Sequence, residues 1–476
     1  MRMNKELDVF LQPRSVAVIG ATERPGAWGS LIMNSLQSIQ YSGKVYPVNR
    51  RVQSVYGIRA FPNIRKIPSP VDLAVIAIPE DSIEECIQDC GEKGIRGITI
   101  ITAGFGEAVE GGRDREETLA ETARSYGMRI LGPNVSGTFN LHSGFNASGS
   151  STEHLFPTQL AAVCQGGYAF YDLLSSGYAR KMGVGKFIHT GNECDLQVTD
   201  FLNHFGADPQ VSGVVMYLET VRNGKHFMEV ARRVAKKKPI VIHKAGKTIG
   251  GVRAAYSHTG AIASQGGIYE GAFHQANLVL SPTMELLLPL AHSLLESPSI
   301  RGNCVAIITM GGSWGVPLTD CLEEFGLRVP ELSLTLQKKL RDIGMPIRAS
   351  TKNPVDIGAA GIGSFTPEML SEIGRTILRS KEIDALILHG LGRPGIHKDD
   401  SSSQWKFFTD FEKEMIKKVS DLQKEIDKPV MIGSLFSPWE SQAVHDLNRE
   451  GLRIYNRLDE IAQILSLKHG YWRRSH

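Results

Sequence analysis

Short apolar runs alternate with helical patterns along almost the whole chain. Many of these runs lack a strict alternation of apolar and polar residues, which is typical of strands that are covered on both faces. The segments between them carry apolar residues three and four positions apart, as at Ile83, Ile87 and Cys90. This pattern predicts parallel β-strands joined by helices, and therefore an α/β fold.

The apolar runs fall into three series, each of which we expect to form one wound sheet. The first series has expected strands at Ser15–Gly20, Lys44–Val48, Leu73–Ile78, Gly97–Thr102 and Met128–Leu131. The second has Gln159–Cys164, Lys186–His189, Gly213–Leu218 and Pro239–His243, followed by expected helices at Gly267–Gln275 and from Met284. The third has Val305–Thr309, Ala385–His389 and Val430–Gly433, followed by a helix from Leu458.

One proline-bearing segment precedes the third series, and another interrupts it. Glu296–Ile300 is polar and contains a proline, so we expect a domain boundary there. A long segment with Pro346 and Pro354 separates the first two strands of the third series, and we expect it to be a surface excursion. A chain of 476 residues is too long for one ordinary core. We therefore predict three domains, at residues 1–145, 146–298 and 299–476.

Composition narrows the classes of protein that fit. The formal net charge of +3 argues against a nucleic-acid-binding platform, because such platforms neutralise many phosphates. The six cysteines form no CxxC pair, so we expect neither a disulfide framework nor a metal site. No run of about 20 apolar residues is present, so we expect no membrane span. Together these features predict a cytoplasmic protein.

The turn after the first expected strand has the character of an anion site. The strand ends at Gly20, and Gly26 and Gly29 follow before the next helix. Glycine at a strand end lets the backbone approach a phosphate, and the amides at a helix N-terminus favour anions. The spacing differs from G-x-G-x-x-G, which weakens a nicotinamide-dinucleotide interpretation. A merely tight turn also fits this pattern.

Other expected strand ends in the first series carry residues that suit a ligand crevice. They include Pro79, the stretch Thr102–Glu107, and Asn134 after Gly132-Pro133. Ligands of wound sheets lie outside the carboxyl ends of the strands, so these turns would line one crevice. Ordinary strand-to-helix turns account for any one of them alone.

The segment Lys244–Ala263 is the most unusual stretch of the chain. It follows an apolar strand, contains four glycines, and holds one histidine, His258, among small residues. Imidazole acts as a nucleophile near neutral pH and then leaves, because its unperturbed pKa is about 6.5. We therefore expect a flexible loop that presents a reactive imidazole, although a lone histidine is more often structural.

Glu219 follows the apolar run Gly213–Leu218, at a strand end where active-site groups gather. A carboxylate there would hydrogen-bond one ring nitrogen of a histidine and leave the other free, although a solvated glutamate fits equally well. Glycine-rich turns also follow strands at Cys164–Gly167 and Thr309–Gly315. Each of these turns either holds an anion at a helix start or simply permits close packing.

Nearly the whole chain resembles the α subunit of NDP-forming acyl-CoA synthetases, relatives of succinyl-CoA synthetase. The motifs that carry the resemblance are VAVIGATERPGAWG, VYPVN, DLAVIAIPED, TAGFGE and LGPN in the first series, GNECDLQVTDFL and KAGKTIGGVRAAYSHTGAIA in the second, and GLRVPELS and KNPVDIGA in the third. The resemblance implies a Rossmann-like CoA-binding domain followed by two flavodoxin-like, doubly wound domains.

The resemblance also implies site residues. His258 would carry a phosphoryl group, and Glu219 would steady it. Coenzyme A would bind at Gly20, Ala21, Thr22, Arg24, Gly26, Gly29, Asn49, Pro79, Thr102, Gly104, Gly106 and Asn134. Phosphate or the acyl substrate would bind at Gln165, Gly166, Gly167, Tyr168, Gly311 and Gly312.

The reaction implied by the resemblance interconverts acid, CoA and ATP (or GTP) with acyl-CoA, ADP (or GDP) and phosphate, through acyl phosphate and phosphohistidine. The nucleotide and Mg²⁺ would bind a separate ATP-grasp β subunit, so we expect a hetero-oligomer. This chain departs from the family where SQSGA is usual, because it reads Cys164–Tyr168 as CQGGY. That change leaves the acyl group undefined.

Two other functions compete with this interpretation. The first is a non-catalytic subunit that binds CoA or acyl-CoA and regulates a partner, which the altered CQGGY turn favours. The second is a nicotinamide-dependent dehydrogenase that uses the first domain. The presence of both His258 and Glu219 favours the synthetase over the regulatory subunit.

Overall fold

The structure is a computed structural model that describes residues 5–108, 111–153, 155–167, 169–259, 266–392 and 403–476. The residues form two compact units. The first unit comprises Met1–Gly177 and Met182–Ala291, and the second comprises Tyr178–Lys181 and His292–His476. No helix among the described residues combines the length and the hydropathy needed to cross a lipid bilayer.

The first unit begins with a five-stranded parallel sheet and a small antiparallel hairpin. The strands are β1 (Ser15–Ile19), β2 (Lys44–Val48), the hairpin strands β3 (Ser54–Val55) and β4 (Ile58–Arg59), β5 (Leu73–Ile76), β6 (Gly97–Ile100) and β7 (Arg129–Leu131). The helices are α1 (Trp28–Ser38), α2 (Ile83–Glu92) and α3 (Gly112–Ser125). The order of the sheet is β2-β1-β5-β6-β7, and its central strands are buried on both faces.

A second sheet of seven strands completes the first unit. Its strands are β8 (Gly137–Asn140), β9 (Phe145–Ser148), β10 (Leu160–Cys164), β11 (Lys186–His189), β12 (Gly213–Leu218), β13 (Ile240–Lys244) and β14 (Val279–Leu280). The helices that follow these strands are α4 (Ala169–Arg180), α5 (Val198–Ala207), α6 (Gly224–Ala235), α7 (Ile249–Thr259), α8 (Gly266–Gln275) and α9 (Leu287–Glu296). The order is β14-β13-β12-β10-β11-β8-β9, and β10 to β14 are parallel.

The antiparallel hairpin β8–β9 places the change of sheet earlier than the sequence indicates. We expected a boundary at residue 145, but β8 pairs with β11 and β9 pairs with β8. The last strand of the first sheet is therefore β7. The hairpin is buried, and the Thr138 hydroxyl donates to the Phe10 carbonyl at 2.9 Å. The assignment of three domains stays a prediction.

The region predicted as a flexible loop is partly helical. Ile249–Thr259 forms helix α7, so His258 lies on a helix rather than on an extended segment. The side-chain pattern explains the difference, because Gly250 and Gly251 fall in the first turn and alanines and valine follow. Residues 260–265, which continue the predicted loop, lie outside the described residues.

The second unit holds a third, wholly parallel sheet. Its strands are β15 (Val305–Thr309), β16 (Val355–Asp356), β17 (Ala385–His389), β18 (Val430–Gly433) and β19 (Ile454–Tyr455). Its helices are α10 (Gly312–Glu324), α11 (Leu334–Asp342), α12 (Pro367–Arg379), α13 (Ser403–Ile426), α14 (Gln442–Arg449) and α15 (Leu458–Ser475). The order β16-β15-β17-β18-β19 is that of flavodoxin-like sheets.

The segment with Pro346 and Pro354 differs from our expectation of a surface excursion. It contains α11, and the two residues after Pro354 form β16, which pairs with β15 as an edge strand. A proline is tolerated there because it immediately precedes the strand and leaves the ladder intact. The predicted α/β fold of parallel sheets covered by helices is confirmed. Short 3₁₀ helices occur at Lys5–Phe10, Ile64–Lys66, Glu80–Ser82, Leu141–Ser143, Gly358–Ala360 and Ile362–Ser364.

Candidate functional site

The turn between β1 and α1 brings three pieces of backbone very close together. Gly20 has φ +92°, and a Cβ atom added there would lie 2.2 Å from the Ala77 carbonyl oxygen. A Cβ atom at Gly29 would lie 2.1 Å from the Gly20 carbonyl oxygen. Only glycine fits at either position. Gly29 is the second residue of α1, so this approach fixes the first turn of the helix against the end of β1.

A cavity of about 650 Å³ opens at this turn and extends to the strand ends of the second sheet. The predicted CoA residues that line it are Gly20, Thr22, Arg24, Gly26, Gly29, Pro79, Thr102 and Asn134. Gln165 and Gly167, which we predicted for phosphate or substrate, line the same cavity. The fold therefore places these two groups of residues around one space.

The N-terminus of α1 faces this cavity and lacks a side-chain cap. Ala27 occupies the N-cap position and offers no side-chain oxygen, and the first turn contains no acidic residue. Gly26, Ala27 and Trp28 line the cavity together with Arg24. The positive end of the helix dipole and one guanidinium thus border the same space, which favours an anion.

A second cavity of about 590 Å³ shares Gly20, Thr22 and Arg24 with the first. Asn49 lines it, as do Arg50 and Arg51. The Asn49 side chain is fixed, because its amide donates to the Ala21 carbonyl at 2.7 Å and its oxygen accepts from the Arg51 N–H at 2.8 Å. The two cavities thus share a border at the β1–α1 turn, and the second is lined by both basic and acidic side chains, the latter Glu85 and Asp89.

Three predicted CoA residues lie elsewhere. Ala21 is fully buried and contributes only its carbonyl, to Asn49. The N–H of Gly104 donates to Glu107 at 2.5 Å, and that of Gly106 donates to Glu116 at 3.0 Å. Neither glycine lines either cavity. These glycines therefore shape an internal network of hydrogen bonds.

Glu219 follows β12, the strand between β10 and β13, and its side chain is buried. Side chains at the ends of both neighbouring strands, β10 and β13, fix its backbone. Its N–H donates to Gln165 Oε1 at 2.7 Å, and its carbonyl accepts from Lys244 Nζ at 2.7 Å. Burial lowers the Lys244 pKa to about 8, while the charge of Glu219 opposes that change. The Tyr217 hydroxyl donates to Glu219 Oε1 at 3.3 Å.

The turn after β10 lies directly against Glu219. A Cβ atom added at Gly166 would lie 2.7 Å from the Tyr217 ring and 3.4 Å from Glu219 Oε1. A Cβ atom at Gly167 would lie 3.1 Å from the His189 ring. The turn therefore needs both glycines in order to pack between these side chains.

His189 is a cavity residue that the sequence prediction missed. Its Nδ1 accepts the Ser136 N–H at 2.7 Å, so the ring proton resides on Nε2, which donates to the Gln165 carbonyl at 2.9 Å. Both ring nitrogens are thus engaged, and the histidine holds the turn in place. Only its position at the end of β11 indicates this role in the sequence.

A second missed residue is Glu193, in the loop between β11 and α5. It is buried, and burial raises its pKa to about 7 against the opposing effect of its hydrogen bonds. Its Oε1 accepts the Gln165 side-chain N–H at 3.1 Å and the Val198 N–H at 3.1 Å. A loop glutamate carries no signal in the sequence that distinguishes it from a solvated one.

The remaining predicted residues are not brought into this site by any described contact. The side chain of His258, on α7, lies outside the described residues, and so does Tyr168. Gly311 and Gly312 belong to the second unit, at the start of α10. A Cβ atom at Gly312 would lie 2.9 Å from Asp356. Within the described residues, no group of three or more His, Cys, Asp or Glu side chains has a metal-binding arrangement.

Comparisons with known families and proteins agree with this geometry. A CoA binding domain family matches residues 14–139, and a succinyl-CoA ligase like flavodoxin domain family matches residues 157–294. The first match contains the β1–α1 turn. The second contains Glu219, the Gln165–Gly167 turn and α7.

Individual relatives extend the match. The ADP-forming acetate–CoA ligase II subunit alpha of Pyrococcus furiosus is 37% identical over 381 residues, which cover 80% of this chain and 81% of the relative. The ADP-forming acetate–CoA ligase of Methanocaldococcus jannaschii is 35% identical over 365 residues, but this match covers 50% of that longer relative.

A solved structure matches along nearly the whole chain. It is the acetyl-coenzyme A synthetase 1 of Candidatus Korarchaeum cryptofilum in complex with phosphate and ADP, with a TM-score of 0.84 and 31% identity. The match covers 99% of this chain and 98% of the other. Sequence and fold thus agree with the cavity geometry, and the protein belongs to the family of NDP-forming acyl-CoA synthetases, as a relative of the α subunits of ADP-forming acetate–CoA ligases.

Proposed function

We propose that this chain is the α subunit of an NDP-forming acyl-CoA synthetase. The observation that carries the proposal is the shared cavity, where the glycine-rich turn after β1 and the Gln165–Gly167 turn border one space. A CoA-binding turn and an acid-transfer turn must meet in this way if a thioester is to be made or broken between them. The names of the relatives support the same reaction class.

Coenzyme A fits the two connected cavities by its length and charge. We place its phosphates near Arg24 and the uncapped N-terminus of α1, where an anion is favoured. The nucleotide end then occupies the cavity with Arg50 and Arg51, and the thiol arm extends toward Gly167. This orientation brings the sulfur to the strand ends of the second sheet.

The chemistry proceeds in three reversible transfers. Phosphate attacks the acyl carbon of acyl-CoA, the C–S bond breaks, and the products are acyl phosphate and CoA thiol. A ring nitrogen of His258 then attacks the phosphorus, the bond between phosphorus and the carboxylate oxygen breaks, and the acid leaves. The phosphoryl group finally passes from His258 to ADP or GDP. We propose that Glu219, whose backbone is fixed by Gln165 and Lys244, orients the imidazole.

For the nucleotide step we propose a partner subunit. The P. furiosus relatives are each named as a subunit alpha, which supports a second kind of subunit. We propose that this partner is an ATP-grasp β subunit that binds ATP or GTP and Mg²⁺, in a hetero-oligomer. We place the complex in the cytoplasm, because none of the six cysteines forms a disulfide.

A regulatory subunit that binds acyl-CoA without catalysis is the second candidate. The departure at Cys164–Tyr168 favours it, because the turn lacks the serine of the usual SQSGA motif. The burial of Glu219 beside this turn favours catalysis instead, since a buried carboxylate has no role in binding CoA alone.

A labelling experiment decides between the two. The chain is purified, mixed with the co-expressed partner, Mg²⁺ and γ-labelled ATP, and the acid-labile phosphate is mapped by mass spectrometry. We expect the label on His258, and we expect His258→Asn to lose both label and turnover while CoA binding, measured by calorimetry, persists. His274→Asn, at an exposed histidine on α8, serves as the matched control.

Two results would contradict the proposal. The first is label on a different residue, and the second is turnover that survives His258→Asn. The pure chain without its partner should give no ADP from acid, CoA and ATP. A panel of carboxylic acids assayed in the same mixture then identifies the acyl group.

A further inference from the structure

The side chain of Gln165 makes four hydrogen bonds, and we call this arrangement the Gln165 bridge. Its Oε1 accepts the N–H of Glu219 at 2.7 Å and that of Thr220 at 3.0 Å. Its Nε2 donates to the Thr220 carbonyl at 2.9 Å and to Glu193 Oε1 at 3.1 Å. The amide is buried, and all of its donors and most of its acceptor capacity are used.

The bridge extends the pairing of two strands beyond their ends. β10 ends at Cys164 and β12 at Leu218, but the Gln165 amide bonds the next two peptide groups of the β12 segment. A side-chain amide thus replaces the peptide group that a longer strand would supply. It fixes the backbone from which the Glu219 carboxylate projects.

Glu193 and the peptide groups of Glu219 and Thr220 favour the same orientation of the Gln165 amide. The carboxylate oxygen of Glu193 accepts from the NH₂ side of the amide, while the two backbone N–H groups donate to its carbonyl side. Glu193 is itself fixed by the Val198 N–H at 3.1 Å. The loop before α5 therefore sets the geometry at the end of β12.

The burial of Glu193 has a cost that packing alone does not require. Burial raises the pKa of this carboxyl group to about 7, which means that the fold disfavours its charge. An apolar side chain of similar volume at this position would remove that penalty. A buried acid that contacts the Gln165 bridge beside Glu219 therefore points to a role in the site.

We propose that Glu193 is a positioning residue for phosphoryl transfer, which acts through Gln165 to hold Glu219 and the Gly166–Gly167 turn in register. The inference rests on the function proposed above, in which Glu219 orients the imidazole. The turn leaves little tolerance, since a Cβ atom at Gly166 would lie 2.7 Å from the ring of Tyr217 on β12. A small shift of the β12 end would alter that contact directly.

The first test compares two replacements of Glu193. Glu193→Met keeps the volume and removes the acceptor, and we expect kcat to fall about 10- to 100-fold with the affinity for CoA unchanged. Glu193→Gln keeps an oxygen at the Oε1 position, so it should recover most of that loss. A Glu193→Met enzyme with wild-type kcat, or a loss that appears only in CoA affinity, would overturn the proposal.

A double-mutant cycle tests the route through Gln165. If Glu193 acts only by orienting that amide, Gln165→Met with Glu193→Met should be no slower than Gln165→Met alone. Losses that multiply would show that Glu193 acts independently, which contradicts the inference. If Glu193→Met fails to fold, Glu193→Asp takes its place in the cycle, because its carboxylate is withdrawn by one methylene.

Hydrogen exchange gives a readout that does not depend on the reaction. The Glu219 and Thr220 amides donate to Gln165, so their exchange should accelerate about 10-fold in Glu193→Met relative to other β12 amides. Unchanged exchange would reject the positioning role, whatever the activity. Failure of the proposed function is recognised separately, because the wild-type complex would then carry no phosphate on His258.

Discussion

Five strands of the second sheet have the same order as the five strands of the third sheet. β10 and β15 each end in a glycine-rich turn, but the two turns have different surroundings. β11-β10-β12-β13-β14 corresponds to β16-β15-β17-β18-β19. The Gln165 N–H donates to the Tyr217 carbonyl and the Met310 N–H donates to the His389 carbonyl, each at 3.1 Å. Gln165 therefore corresponds to Met310.

The same register places Leu391 where the second sheet has Glu219. Leu391 is buried, and Met310 packs against the apolar core of the second unit. The turn after β15 thus lacks both the carboxylate and the amide bridge found after β10. One topology supplies two helix starts, but the carboxylate that follows β12 has an apolar counterpart, Leu391, after β17. The difference indicates that two side chains, Gln165 and Glu219, give one of two similar sheets a distinct polar strand end without a change of fold.

The largest effect is expected from Glu219→Leu, which gives the first unit the residue of the second. Loss of the carboxylate should lower turnover at least about 100-fold, because the imidazole loses its orienting group. CoA affinity should persist, since Glu219 lines neither cavity. Glu229→Leu, at an exposed glutamate on α6, is the matched control. If Glu219→Leu formed phosphoenzyme at the wild-type rate, the difference between Glu219 and Leu391 would have no effect on function.

The two units should also respond to pH in opposite directions. Burial raises the Glu193 pKa to about 7, so folding retains a proton that the unfolded chain loses, and the stability of the first unit falls as pH rises from about 4.5 to 7. Burial lowers the His389 pKa to about 4, so the unfolded chain gains a proton first, and the second unit loses stability as pH falls from about 6.5 to 4.

Each change should approach about 3 kcal/mol, from 1.36 kcal/mol for each unit of pKa difference. Arg222 is the charge that acts on Glu193, and it opposes the effect of burial. Hydrogen exchange of peptides from each unit measures both slopes in one sample. Glu193→Gln should flatten only the first slope and His389→Gln only the second. Slopes of the same sign in the two units would contradict the assignment.

The smallest effect is expected from Met310→Gln, which gives the second unit the residue that the first unit has after β10. The residue that corresponds to Glu219 there is Leu391, and the new amide gives up apolar contact with the core of the second unit. We expect the free energy of unfolding of that unit to change by less than about 1 kcal/mol, measured by denaturant unfolding. A gain of about 2 kcal/mol or more would show that the bridge needs no acidic partner.

Much of the architecture could be predicted from the sequence, because buried strands require unbroken apolar runs. Lys186–His189, Gly213–Leu218 and Ala385–His389 have the predicted bounds. The hairpin β8–β9 was not predicted, since each of its strands is only four residues long and contains polar residues, such as Asn140 and Asn146. Its burial depends on contacts with Phe10 and β11, which are distant in the sequence.

The candidate site was predictable where a backbone requirement selects a residue type. Gly20, Gly29 and Gly166 mark close approaches that only glycine permits, and these positions stand out in the sequence. Glu193 and His189 were missed because their roles depend on single hydrogen bonds to residues 28 and 24 positions away. A side chain that orients another leaves no periodic pattern.

The hairpin β8–β9 also bears on how the first unit unfolds. It follows directly after the last strand of the first sheet and forms the edge of the second, and Phe10 contacts the ring of Phe201 in the same apolar core. Neither sheet can lose its end strands without exposing buried surface of the other. The cooperative unit is therefore the pair of sheets, and a fragment cut after the CoA-binding match at residue 139 would divide a hairpin and leave its first strand without a partner.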